Sequence, residues 1–293
     1  MANIRAIQTK IKSVRNIKKI TGALEVVSTV KLQKLKRQTE RFKNYMEEFL
    51  KILNVAKDKI DIFDAPKNQD WKRLLIVNTS EKGLCGSLNS KLLKHIYTRY
   101  ENAKDNVDVF CVGKKWVEFF ARTGFNVIWS VNVNDNFEDK DLNILYSFLK
   151  KSLENKEYSK IKVYFNYFKN TINQIPIRFK IFPIDKESFD KFVENTEVEL
   201  SSIKTPSDKD MIIEPNLKEF KKHIIRQLVS HILYGAVLQN KAGEHASRMI
   251  AMKNAKDNSN DLISSLEIMY NKQRQSAVTQ EISEIVWAKA AME

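Results

Sequence analysis

From Pro215 to Ala290 the chain reads PNLKEFKKHIIRQLVSHILYGAVLQNKAGEHASRMIAMKNAKDNSNDLISSLEIMYNKQRQSAVTQEISEIVWAKA, with no second proline. A proline inside a helix costs about 3 kcal/mol, so its absence over such a length permits one uninterrupted helix. Periodicity supports this. Phe220, Ile224, Leu228, His231, Gly235, Leu238, Ala242, His245, Met249 and Met252 fall near one face, and Ile263, Leu266, Tyr270, Gln273 and Ala277 extend it. Pro215 suits a helix start. At 1.5 Å per residue such a helix is about 110 Å long, well beyond the diameter of a globular domain. It cannot bury its own stripe and requires a partner. Gly235 and Gly243 each weaken it by about 1 kcal/mol, but small residues on a seam let a partner backbone approach.

The other end of the chain offers that partner. The five prolines are Pro66, Pro176, Pro183, Pro206 and Pro215, so residues 1–65 are also proline-free. Ile4, Ile7, Ile11 and Val14 step by three and four; Ile17, Ile20, Leu24 and Val27 repeat the stepping after one short step; Phe42, Met46, Phe49, Leu53, Ala56 and Ile60 continue it. The pattern predicts an a/d seam with a local phase shift. The two terminal helices are expected to pair antiparallel, because the intervening segment returns the chain.

The middle has a different period. Short apolar runs at 73–78, 107–112, 125–129 and 161–167 alternate with helical patterns through Leu92, Ile96 and Tyr100, over 116–122 and over 142–153. Such alternation predicts a mostly parallel sheet with helices on both faces. Arg178 to Phe182 is a candidate edge strand. The expected fold is therefore α/β plus a long coiled coil: a shaft helix at 1–65, a Rossmann-like domain at 70–184, an irregular linker at 185–214 and a second shaft helix at 215–293.

Composition narrows the function. Only 7 Gly and 5 Pro argue against a turn-rich β-sandwich or barrel. Cys85 and Cys111 are too few for a disulfide framework and read as buried thiols. No window approaches the apolar length of a membrane span, and no signal core or presequence is read at the N-terminus. The net charge of +14 is uneven. Lys10, Lys12, Arg15, Lys18, Lys19, Lys31, Lys34, Lys36, Arg37, Arg41 and Lys43 crowd the first helix, a field suited to a polyanion or an acidic protein surface.

The loop Glu81-Lys82-Gly83-Leu84-Cys85-Gly86-Ser87-Leu88-Asn89 stands where a doubly wound fold would hold phosphate. Its glycine spacing is Gly-x-x-Gly with no following Gly-Lys-Ser/Thr, so we read it as a tight structural turn. His95, His223, His231 and His245 have no metal-ligand spacing and read as seam or interface residues.

Four stretches then carry a resemblance. Ile20-Thr21-Gly22-Ala23-Leu24-Glu25-Val26-Val27-Ser28 is similar to I-T-K-A-M-E-M-V-A. Residues 79–89 are similar to T-S-D-R-G-L-C-G-G-L-N. Residues 244–258 are similar to E-H-A-A-R-M-V-A-M-K-A-A-T-D-N, and residues 270–282 to Y-N-K-A-R-Q-A-S-I-T-Q-E-L. In order and spacing these resemble the gamma subunit of the F-type rotary ATP synthase over essentially the whole chain. The resemblance implies a non-catalytic rotor shaft inside an alpha3-beta3 hexamer, with the catalytic sites on beta, an epsilon subunit beside it and a membrane c-ring at its foot. It implies no cofactor, metal or nucleic acid on this chain, and a peripheral place on the cytoplasmic face of a bacterial plasma membrane. Carried over by position, Gly22, Leu24, Arg248, Arg274, Gln275, Thr279, Glu281 and Glu284 would touch beta subunits. Lys10, Arg15, Lys18, Lys19 and Lys31 would form a basic face towards acidic lever loops. Gly22 replaces the motif's Lys and Leu24 its Met, departures that leave room for a divergent F-type-like ATPase. Two rivals make other predictions: a basic nucleic-acid-binding coiled coil predicts salt-sensitive DNA binding, and a nucleotide-dependent enzyme predicts nucleotide binding by the isolated chain.

Overall fold

The computed structural model describes residues 2–56, 72–114, 116–155, 157–184 and 213–292. The expected shaft residues 57–65, including Ile60, and most of the expected linker (185–212) lie outside the described residues. The elements are α1 (Ala2–Ala56), β1 (Lys72–Asn78), α2 (Leu88–Tyr100), β2 (Val107–Val112), α3 (Val117–Arg122), β3 (Asn126–Val131), α4 (Asn143–Glu154), β4 (Tyr158–Phe168), β5 (Gln174–Phe182) and α5 (Leu217–Ala290). The two long helices pack together, and a mostly parallel five-stranded sheet lies between them in sequence. The chain divides into two compact units that cut across both helices: Met1–Thr29 with Arg248–Glu293, and Val30–Ser247.

In the second unit the sheet order is β3-β2-β1-β4-β5. β1 pairs parallel with β2 and β4, β2 parallel with β3, and β5 antiparallel with β4. β1 is buried on both faces, as a central parallel strand should be: Leu74, Leu75, Ile76 and Val77 are all 0% exposed. Leu75 and Val77 pack with Leu92, Leu93 and Ile96 of α2 and Phe120 of α3. On β2, Phe110 stacks at 5.3 Å on Phe148 of α4. Asp108 ties the strand starts together, accepting hydrogen bonds from Asn126 Nδ2 (2.7 Å) and Tyr158 OH (3.0 Å) and pairing with Lys72. Burial pushes the Cys111 thiol up to about 12, in line with an inert buried cysteine.

β5 is longer than the candidate edge strand. It includes Pro176, which sits at a sheet edge, where a missing N–H is tolerated. The β4–β5 link spans only residues 169–173, too short for a parallel crossover. Asn170 Oδ1 closes it by accepting from Ile172 N (3.0 Å) and Asn173 N (2.8 Å).

The helix portions in this unit run antiparallel. Phe42 packs on Tyr234 at 5.2 Å and Phe49 on His231 at 4.8 Å, while Tyr45 OH and His231 Nε2 are 3.0 Å apart. α5 opens at Asn216, whose Oδ1 accepts from Glu219 N at 2.9 Å, the bond of a helix N-cap. From Ala236 to Ala246 nearly every residue of α5 is buried. Asn240 Oδ1 accepts from Asn166 N and Nδ2, and Gln239 Oε1 accepts from Phe168 N, so side chains of α5 satisfy the end of β4. Gly243 lies against Gln174, Leu88 and Asn166, the close approach its size permits.

Candidate functional site

The first compact unit is an antiparallel helix pair. Ile7, Ile11 and Val14 of α1 pack with Ile263, Leu266 and Tyr270 of α5. Its flanks are stitched by Gln8 Nε2 donating to Tyr270 OH (2.7 Å), Arg15 Nη2 to Glu267 Oε1 (2.6 Å) and Lys256 Nζ to Glu25 Oε2 (2.6 Å). The Glu25 bond raises the pKa of Lys256.

The expected phase shift in α1 is not present. Ile7, Val14, Thr21, Ser28 and Leu35 are all buried and step by seven, one unbroken heptad. Ile17, Ile20 and Val27, expected on the seam, are 50%, 60% and 48% exposed. Polar residues hold the seam because their hydroxyls are satisfied within their own helices: Thr21 Oγ1 donates to Ile17 O and Ser259 Oγ to Ala255 O. A seam of small residues brings the backbones close, and a Cβ on Gly22 would sit 3.6 Å from Lys256 Cδ.

The consequence is an outward apolar surface. Besides Ile17, Ile20 and Val27, the unit exposes Val26, Leu262, Ile268, Met269, Val278, Ile282, Ile285, Val286 and Trp287. These apolar side chains of the unit are left uncovered by its own chain. The sequence reading placed some of these residues on the seam and overlooked Val26, Ile268, Met269 and Trp287. The signal was available in the strict seven-residue step through Thr21 and Ser28.

Among the residues expected to contact partners, Arg274, Gln275, Thr279, Glu281 and Glu284 are exposed on α5, Gly22 and Leu24 are partly covered, and Arg248 is buried. Lys10, Lys18 and Lys19 are exposed on α1. Arg15 is engaged with Glu267, and Lys31 donates to Asp135 Oδ2 at 2.6 Å.

That Asp135 contact belongs to a hub in the second unit. His245 Nε2 lies 3.0 Å from Asp135 Oδ1, and Lys241 Nζ lies 3.7 Å from the same oxygen. The His245 bond, aided by Lys31 and Lys241 against the opposing effect of burial, holds the Asp135 carboxyl far below the usual carboxylate range. One carboxylate thus ties α1, α5 and the segment after β3.

The glycine loop is a structural turn. Leu84 and Gly86 take positive φ. Asn89 Oδ1 accepts from Ser80 N (3.1 Å), Asn89 Nδ2 donates to Ser80 Oγ (2.7 Å), and Ser80 Oγ donates to Lys82 O (2.8 Å). Ser247 Oγ donates to Cys85 O at 2.6 Å, docking the turn on α5. Glu81 Oε1 reaches out of the loop to accept from Val133 N at 2.8 Å. Among the described residues no His, Cys, Asp and Glu cluster could hold a metal ion, and no helix is long and apolar enough to cross a membrane.

The chain thus comprises an antiparallel helix pair that exposes apolar side chains and an α/β unit built on a mostly parallel sheet. A family model described as ATP synthase matches residues 3–292. The ATP synthase gamma chain of Mycoplasma mycoides is 33% identical over 290 residues, covering 98% of each chain. That of Staphylococcus saprophyticus is 31% identical over 300 residues, covering 100% of each. A structure of the OSCP, F1 and c-ring of the Euglena gracilis mitochondrial ATP synthase shares the fold at 18% identity and a TM-score of 0.69, over 99% of this chain and 95% of that one. The chain belongs to the ATP synthase gamma-chain family.

Proposed function

We propose that this chain is the central rotor shaft of an F-type ATP synthase or ATPase, coupling rotation to conformational change in catalytic beta subunits. The observation that carries the proposal is the paired helical unit with its apolar surface turned outward, in a chain that aligns end to end with gamma chains. A rigid, asymmetric axle shifts a partner's conformational equilibrium only if different partner states touch different faces of it. The surface of the first unit has the required asymmetry: exposed apolar residues, a basic group at Lys10, Lys18 and Lys19, and acidic Glu281 and Glu284.

In this reading residues 1–65 and 215–293 form the shaft, 70–184 the inserted domain and 185–214 the link. Gly22, Leu24, Arg274, Gln275, Thr279, Glu281 and Glu284 serve beta contacts, and Arg248, buried in its own chain, supports them from behind. Lys10, Arg15, Lys18, Lys19 and Lys31 supply a distributed field towards acidic loops, Arg15 and Lys31 in part through charge already shared within the chain. The partners are an alpha3-beta3 hexamer, an epsilon subunit and a membrane c-ring at the foot, and the chain sits peripherally on the cytoplasmic face of a bacterial plasma membrane. The lost cation at Gly22 fits a divergent F-type-like ATPase. Full-length membership in the family leaves the DNA-binding alternative without support.

Purification from native membranes tests the proposal. The chain is expected to co-elute with a hexamer that hydrolyses ATP, and deletion of the last turns of α5 is expected to reduce coupled turnover. Elution apart from any ATPase, or unchanged torque after the deletion, would count against the shaft mechanism.

A further inference from the structure

The second unit carries a basic groove that the shaft mechanism does not use. Lys91, Lys94, His95, Thr98 and Arg99 lie on one face of α2, spaced at three, four, seven and eight residues, over about 12 Å of helix. With Pro176 of β5 they line an open groove of about 640 Å³. Arg178, two residues further along β5, lies close enough to His95 to act on its charge. Burial, then Arg99, then Arg178 lower the pKa of His95. Beneath the groove, Tyr100 OH and Tyr164 OH are 3.1 Å apart and Lys162 Nζ donates to Tyr100 OH at 3.2 Å.

The charges here are uncompensated. Lys31, Lys72 and Lys256 hold the carboxylates of Asp135, Asp108 and Glu25. Among the described residues, Lys91, Lys94, Arg99 and Arg178 hold none. Like charges at helical spacing oppose the free fold, and a bound anion removes that cost. The Arg99 guanidinium suits the tetrahedral oxygens of phosphate, Lys91 and Lys94 add point charge, and Thr98 adds a hydroxyl donor. A row of donors this long fits several phosphates, or an array of headgroups, better than one carboxylate.

We propose that the groove between α2 and β5 binds phosphate-bearing anions, either a soluble oligophosphate or the headgroups of anionic lipid. The test uses the full chain. Tripolyphosphate binding is followed by calorimetry, and vesicle binding by co-sedimentation with phosphatidylglycerol against phosphatidylcholine. One arm or both should register binding, and which arm responds identifies the source of the phosphate. The double variant Lys94→Ala/Arg99→Ala is expected to weaken that binding about tenfold or more, through lost charge-assisted hydrogen bonds. Lys150→Ala/Lys151→Ala on α4 removes the same net charge and is expected to leave binding within about twofold, since the lost bonds are those of the groove. Absence of binding in both arms overturns the proposal, as does equal weakening by the two variants or no weakening by the first. Groove-dependent capture of duplex DNA with neither phosphate arm responding overturns it too.

Discussion

In the second unit, α5 between Ala236 and Ala246 is wrapped by the sheet, the glycine loop and α1, and even Lys241, Glu244 and His245 are buried. In the first unit the same helix keeps only a thin seam around Leu266 and shows solvent Ile268, Met269, Ile285 and Trp287. One continuous helix thus meets two packing regimes. A helix buried on all sides is held by its own chain, while one with a single covered stripe is left to be held by others. The difference predicts that stability is concentrated in the second unit and that the first is built for contact.

The heaviest blow to that comparison would come from Leu75→Ala. Removing a side chain that is 0% exposed at the sheet centre should cost about 2–5 kcal/mol. Hydrogen exchange should show the loss across the strands first; equal loss in both units would erase the distinction. Asp135→Asn should cost about 1–3 kcal/mol, since it leaves Lys31, Lys241 and His245 without their shared anion. The sign with pH follows from a depressed carboxyl. The stabilisation is fully present above an unfolded pKa of about 4 and is lost as pH falls below it. Urea titrations of wild type and variant should therefore differ at neutral pH and converge in acid.

Two glycines sharpen the comparison by opposite signs. A Cβ on Gly235 would lie 2.8 Å from Phe42 Cε1, so Gly235→Ala should destabilise by about 1–3 kcal/mol through overpacking. A Cβ on Gly22 meets ordinary contact at 3.6 Å, so Gly22→Ala should stabilise by up to about 1 kcal/mol through helix propensity. Thermal melts of the two variants should move apart. Arg15→Ala should be smallest, at about 0–1 kcal/mol and fading in high salt, because its pair with Glu267 is 58% and 45% exposed.

Much of the fold was legible because it rests on local chemistry. Proline placement and stepped apolar residues marked α1 and α5, and short β-rich runs marked β1, β2, β3 and β4 within a few residues. The seam through Thr21 and Ser28 was misread because a pattern search follows apolar residues. The structure buries small hydroxyls that bond within their own helices and leaves Ile17, Ile20 and Val27 outside. β5 was seen only in part, because Pro176 breaks a strand pattern and only pairing with β4 shows that its position is harmless.

The candidate surfaces divide in the same way. Motifs spanning the chain supplied the proposed contact residues, since such matches survive in one dimension. The Asp135 hub joins Lys31, Lys241 and His245 across more than a hundred residues of sequence, and the groove joins α2 to β5 across a sheet. Sequence alone determined two long helices, an alternating α/β insert and a strongly basic chain, because propensity, period and charge are properties of neighbours. Tertiary structure alone decided which stripe is buried, which charges find partners and which are left facing water, because burial and pairing depend on residues that only folding brings together.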